Sequence, residues 1–176
     1  MVHDSTQAAA WSGANVAGDG DKAALYRALL ADLRALLDGE SDPLANAANA
    51  AAALFHSVPD LNWAGFYLLR GSELVLGPFQ GKPACIRIPL GRGVCGTAAA
   101  GRRSILVPDV AAFPGHIACD AASRAELVVP VLQDGVLCGV LDLDSPRPER
   151  FDAADQAGCE ALARLIAPAI AALARS

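Results

Sequence analysis

The hydrophobic period of this chain changes at Pro59, and that change constrains the fold more than any other feature. Before it, Leu25, Leu29, Leu33 and Leu36, with Tyr26, Leu30 and Leu37 alongside, form a stripe at helical spacing that ends near Gly39. Asp42-Pro43 then predicts a second helix to about Ser57, with the aspartate as N-cap and the proline at the first helical position. After Pro59 the segments Leu61 to Leu69, Leu74 to Phe79 and Cys85 to Ile88 read as three strands, separated by Arg-Gly-Ser and Gly-Lys-Pro turns. A short helix opens in the glycine-rich run Gly91 to Gly96 and closes at Gly101, and Ser104 to Val107 resumes strand. A loop with Pro-Gly punctuation, Phe113 to Asp120, precedes a hairpin from about Glu126 to Asp144. The last helix starts at Asp152 with Leu162, Leu165, Ile166, Ala169 and Leu173 on its inward stripe. Strands grouped between flanking N- and C-terminal helices predict an α+β domain around a central antiparallel sheet.

The chain has 176 residues, enough for one domain with a core that needs no disulfide staples. Residues 1–20 read as a flexible leader and residues 21–176 as the single domain. A net charge of −5, with 14 basic residues scattered along the chain, leaves no electrostatic footprint for a nucleic-acid backbone. The longest apolar stretches are interrupted by Arg34, Arg164 and Arg175, so no membrane span is expected. The N-terminus lacks a basic start followed by an apolar core, which argues for a cytoplasmic protein.

Five cysteines is an odd number, and the cytosol keeps thiols reduced, so each is either a small buried hydrophobe or a working thiol. Cys119 sits in the punctuated loop, Cys85 at a strand start and Cys95 in the glycine-rich run; Cys138 and Cys159 fall on buried faces and read as packing residues. Cys85, Cys95, Cys119 and His116 are too widely spaced for a structural zinc site, and no metal is expected. The glycine-rich run lacks the residues of a phosphate-cradling loop.

Strand alternation puts Trp63, Gly65 and Tyr67 on one face, which offers an aromatic-walled recess over the glycine or, as is commoner for an isolated aromatic pair on a strand, plain core packing. It also puts Val136, Cys138, Val140, Asp142 and Asp144 on one face, so two carboxylates project together from an apolar strand. Whether Glu126 joins them depends on the hairpin. A two-residue Asp134-Gly135 turn pairs 127 with 142 and points Glu126 away; a three-residue turn with Gly135 in a bulge pairs 126 with 142. A shared carboxylate site requires the second register.

Trp63-Ala-Gly-Phe-Tyr67, Gly77-Pro-Phe-Gln-Gly81, Gly93-Val-Cys-Gly96, Val107-Pro-Asp-Val110, Phe113-Pro-Gly-His-Ile-Ala-Cys-Asp120 and Gly139-Val-Leu-Asp-Leu-Asp144 together resemble the free methionine-(R)-sulfoxide reductases, single-domain GAF proteins. The resemblance runs from about Lys22 to the C-terminus. It implies a GAF-like fold, with Cys119 as nucleophile, Cys85 as resolving thiol and Cys95 as a third thiol able to enter disulfide exchange. It further implies that Trp63 and Tyr67 enclose the methyl-sulfur end of the substrate, while Glu126, Asp142 and Asp144 handle its ammonium and sulfoxide, with Glu126 and Asp144 also serving catalysis. Backbone N–H groups around Ile117 would receive the substrate carboxylate. No bound cofactor is implied; thioredoxin would be the external reductant, with NADPH consumed upstream, and the family's habit is a homodimer. The rival reading is a GAF sensor that binds a small ligand, or reports oxidation, without turnover. Against it, a chain of this length is expected to leave no room for an attached output domain, and the Asn-Lys-Xaa-Phe-Asp-Glu pattern of cyclic-nucleotide GAF domains is missing from the sequence.

Overall fold

The structure, a computed structural model, describes residues 21–115, Ile117 and residues 120–175. Helix α1 (Lys22–Leu37) is capped by the Asp21 side chain, which accepts from the Ala24 N–H, and α2 (Pro43–Ser57) by Asp42, which accepts from the N–H groups of Leu44 and Ala45. Strands β1 (Trp63–Arg70), β2 (Glu73–Gly81) and β3 (Arg87–Pro89) follow, then α3 (Gly93–Gly101) and β4 (Ile105–Val107). A single 3-10 turn at Val110–Ala112, capped by Asp109, was not foreshadowed by any periodicity. Strands β5 (Ala125–Gln133) and β6 (Val136–Ser145) form the hairpin, and α4 (Ala153–Arg175) ends the fold.

The six strands make one antiparallel sheet in the order β3-β2-β1-β6-β5-β4. Each outer strand is only 3 residues long, which limits the unpaired edge offered to other chains. One face is covered by α1, α2 and α4, whose leucines and alanines meet Phe66, Leu127, Leu141 and Leu143. The other, carrying Trp63, Tyr67, Val128 and Val140, packs against α3 and the loops around β3.

Helix α4 is long and apolar enough to cross a membrane, but it packs along the sheet as a core helix, with Leu162, Ile166 and Ile170 buried. Leu165, Ala169 and Leu173, expected on the same inward stripe, are only partly buried; Ala163, Ala167 and Ala171 take the deeper positions because their short side chains let the helix approach the sheet. Helix α1 meets α4 at Gly158, where an added Cβ would lie 2.1 Å from the Tyr26 ring. The same junction buries Asp155, which accepts from the Tyr26 hydroxyl at 3.1 Å, pairs with Arg150 at 3.2 Å and forms a short ion pair with Lys22.

The hairpin follows neither expected register through to Asp142, and the acids share a face without the three-residue turn. Its turn has two residues, Asp134 and Gly135, both at positive φ (52° and 77°), and Gln133 pairs with Val136. The pairing then slips, from Leu132 with Leu137 to Val131 with Gly139, leaving Cys138 as an extra residue. The slip corrects the expected face: Cys138 joins the helix-side core with Leu141 and Leu143, while Leu137 and Val140 lie on the opposite face. It also restores the phase that Glu126 needs. Glu126 pairs with Asp144, and Val128 rather than Glu126 stands opposite Asp142.

Candidate active site

Three neighbouring strands bring the acids into one patch. Asp144 lies between Trp63 on β1 and Glu126 on β5, and Asp142 lies between Gly65 and Val128, so Glu126, Asp142 and Asp144 project from the same face. Helix α3 lies over that face with Cys95 in its first turn; its start is fixed by contact, since an added Cβ on Gly96 would be 2.3 Å from the Pro89 carbonyl oxygen. The Cys95 thiol donates to Glu126 Oε1 at 3.8 Å.

These groups border a recess walled by Trp63, Tyr67, Ile88 and Val94 and rimmed by Lys82, Ile117 and Asp120. Trp63 and Tyr67 stack at 5.8 Å between ring centroids. The aromatic recess therefore exists, but not over Gly65. An added Cβ there would be 2.4 Å from Phe79 Cβ and 2.8 Å from the Trp63 ring, because Phe79 stacks on Trp63 at 5.3 Å and fills that space. The opening lies instead on the side of the carboxylates.

Burial makes this pocket reluctant to hold negative charge. It pushes the Asp142 carboxyl up from 3.8 to about 7, against hydrogen bonds from Cys95 and the Leu143 N–H that favour the charged form. It also raises Glu126 well above the carboxylate range, helped by repulsion from Asp142 and Asp144, and raises Asp144, helped by Asp142 and Asp120. Burial and the charges of Asp142 and Glu126 push the Cys95 thiol up in turn. Asp142 Oδ1 is buried with no hydrogen-bond partner among the described residues. The shared upward direction of the three carboxyl shifts favours the protonated form of the patch, which suits it both to donate a proton and to receive a cation.

Cys85 is disulfide-bonded, whereas Cys95, Cys138 and Cys159 are free, buried thiols. Of the residues rejected as a zinc site on their spacing, the Cys85 sulfur is committed to a disulfide and Cys95 faces the acids. Cys119 and His116 lie outside the described residues, as does Ala118, so of the expected carboxylate-binding loop only Ile117 is placed, with its side chain over Gly93. Cys159 is held by a contact with the Tyr26 hydroxyl at 3.8 Å and is pushed up to about 12, chiefly by burial, consistent with a packing role.

Sequence reasoning missed the polar network at the rim. Lys82, in the segment leading to Cys85, pairs with Asp120 at 3.3 Å; Asn62 donates to Asp120 at 3.2 Å and to Ser123 at 3.0 Å. The Ala122 N–H, followed by Lys82 and Asn62, holds the Asp120 carboxyl below its ordinary value. Trp63 Nε1 donates to the Lys82 carbonyl at 3.2 Å, tying the same segment to the pocket wall. The available signal was the Asp120-Ala-Ala-Ser123 spacing, a turn in which an aspartate caps a following N–H.

The family profile described as GAF domain matches residues 21–170. The chain is 51% identical over 142 residues to the free methionine-R-sulfoxide reductase of Escherichia coli, covering 81% of this chain and 86% of that protein. The chain belongs to that family. It is also 57% identical over 139 residues to protein YtsP of Bacillus subtilis, covering 78% of this chain and 85% of that protein. The crystal structure of the free methionine-R-sulfoxide reductase from Neisseria meningitidis in complex with its substrate superposes with a TM-score of 0.83 at 45% identity, covering 90% of this chain and 95% of that one. Both the GAF-like fold and the family expected from the sequence are thereby established.

Proposed function

We infer that this chain reduces free methionine-(R)-sulfoxide to methionine. The observation that carries the reading is the pocket itself: an aromatic wall of Trp63 and Tyr67 beside buried, proton-sharing carboxyl groups, in a chain 45% identical to a reductase solved with its substrate. The wall suits the methyl-sulfur end of the substrate and the carboxyl groups suit its ammonium. In this reading the Cys119 thiolate attacks the sulfoxide sulfur while a carboxyl group of the patch protonates the sulfoxide oxygen, giving a neutral adduct with a new S–S bond. The hydroxyl then passes to the Cys119 sulfur as the S–S bond breaks with its electron pair returning to the substrate sulfur, so that methionine leaves and Cys119 is a sulfenic acid. The Cys85 thiol then condenses with it, releasing water and forming a disulfide.

The disulfide at Cys85, with Cys95, Cys138 and Cys159 all free, supports the pairing of Cys85 with Cys119, the remaining cysteine of five. Cys95 fits the exchange role less well. A buried thiol kept protonated by two neighbouring acids is a poor nucleophile, and its better use is to donate a hydrogen bond that holds those acids in place. No bound cofactor takes part in these steps. An external dithiol such as thioredoxin would reopen the disulfide by exchange, with NADPH consumed upstream; a homodimer in the cytoplasm completes the proposal.

The test is turnover of racemic free methionine sulfoxide with the thioredoxin system, followed by chiral analysis of the remainder. The expected result is consumption of the R epimer alone. The N-acetylated substrate, which cannot present an ammonium to the buried acids, should be used about a hundredfold less efficiently. Equal kcat/KM on both substrates would overturn the reading.

A further inference from the structure

We propose that Cys95, Glu126 and Asp142 also form a binding site for a thiophilic divalent cation of the zinc type, which competes with substrate for the pocket. One donor atom from each of these three side chains lies within 4.8 Å of the others, and all three side chains are buried. Zinc bonds of about 2.3 Å to sulfur and about 2.0 Å to oxygen, at tetrahedral angles, need a sulfur-to-oxygen separation of about 3.5 Å. The Cys95 sulfur and Glu126 Oε1 are 3.8 Å apart, so a small inward movement makes two ligands of them.

The independent pointer is Asp142. Its Oδ1 is buried without a hydrogen-bond partner among the described residues, an uncommon state that calls for a partner such as a water or an ion. The ligands stand on α3, β5 and β6, elements held by the sheet and by close helix packing, so the site is prearranged rather than gathered from loops. A thiolate with two carboxylates selects a borderline-soft cation over magnesium or calcium, which take oxygen ligands. The recess leaves a fourth position open to water, as in three-ligand zinc sites. Because Cys95 is not in the disulfide, the site persists while Cys85 is oxidised.

That last point sets the experiment. The disulfide-containing protein is titrated with cobalt(II), whose thiolate complexes absorb in the near ultraviolet, and zinc is then added to displace it. Wild type should give a saturable band that zinc removes. Cys138→Ser should keep the band, Cys95→Ser should lose it, and Asp142→Asn should weaken binding at least about tenfold. A band that survives Cys95→Ser, an unchanged affinity in Asp142→Asn, or no band in wild type would overturn the site. Competition rests on the pocket being the substrate site, and free methionine sulfoxide should displace the cobalt. In a protein that turns substrate over, failure of displacement would overturn the competition. A protein that binds cobalt through Cys95 but reduces no sulfoxide would instead strike the proposed function and leave the metal site standing.

Discussion

On the helix side of the sheet, buried Asp155 meets the Arg150 guanidinium at 3.2 Å, the Lys22 ammonium, the Tyr26 hydroxyl at 3.1 Å and the Asp152 N–H at 3.0 Å. On the pocket side, Glu126, Asp142 and Asp144 share one patch with the Cys95 thiol, and Asp142 Oδ1 has no hydrogen-bond partner among the described residues. Both regions bury carboxylate; the first sets two cations and two further donors around one carboxylate, while in the second the neighbouring carboxyl groups repel one another. A buried charge that is already matched serves the fold; carboxyl groups pressed together and raised in pKa are held in readiness for a visitor.

The largest effect that would sharpen this contrast is in stability. Asp155→Ala should lower the unfolding free energy by about 3 kcal/mol, near the lower end for a broken buried pair because Lys22 keeps about a third of its surface in water. Asp142→Asn should leave stability unchanged or raised, yet reduce kcat/KM on free methionine sulfoxide about a hundredfold. Urea unfolding of both variants checks the pair, and equal destabilisation would break the comparison.

A second effect is in the pH dependence of stability. The folded pKa of Asp142 is raised above its ordinary value of 3.8, so the folded state binds this proton more tightly than the unfolded chain does. Its contribution is complete below about pH 4 and is lost as pH rises to about 7. Between those limits wild type should lose stability relative to Asp142→Asn, and a difference that does not vary with pH would remove the raised pKa from the account. The smallest effect concerns the rim. Lys82→Gln should slow disulfide re-formation by about twofold to threefold at low salt, a difference that disappears at high salt, because an exposed ion pair is weak and screened. Stopped-flow measurement of recycling reads it.

Most of the fold was legible because its signals are local. The Asp42-Pro43 cap, the Asp134-Gly135 turn and the change of period at Pro59 each act over a few residues, and each is where the sequence places it. The bulge at Cys138 was not legible, since it arises from β6 having to satisfy β1 and β5 together while Gly139 presses on the Tyr67 carbonyl, where an added Cβ would be 2.2 Å away. Alternation could name Asp142 and Asp144 as a pair. It could not place Cys95 over them, because that proximity depends on how α3 crosses the sheet. The link from Asn62 to Asp120 spans 58 positions and joins residue types that are ordinary in loops, so nothing nearby in sequence announces it.

The slip at Cys138 has a mechanical meaning. From Gly139 to Asp144, β6 is paired without interruption to β1, and from Gly139 to Ser145 to β5, so the acids take their phase from those neighbours and not from the turn. The extra residue works like an expansion joint between the hairpin tip and the load-carrying part of the sheet. One position left out of the β5 pairing stands between the Asp134-Gly135 turn and Asp142, and a bulge of this kind bends the strand locally. The tip can vary while the carboxyl groups keep their aim.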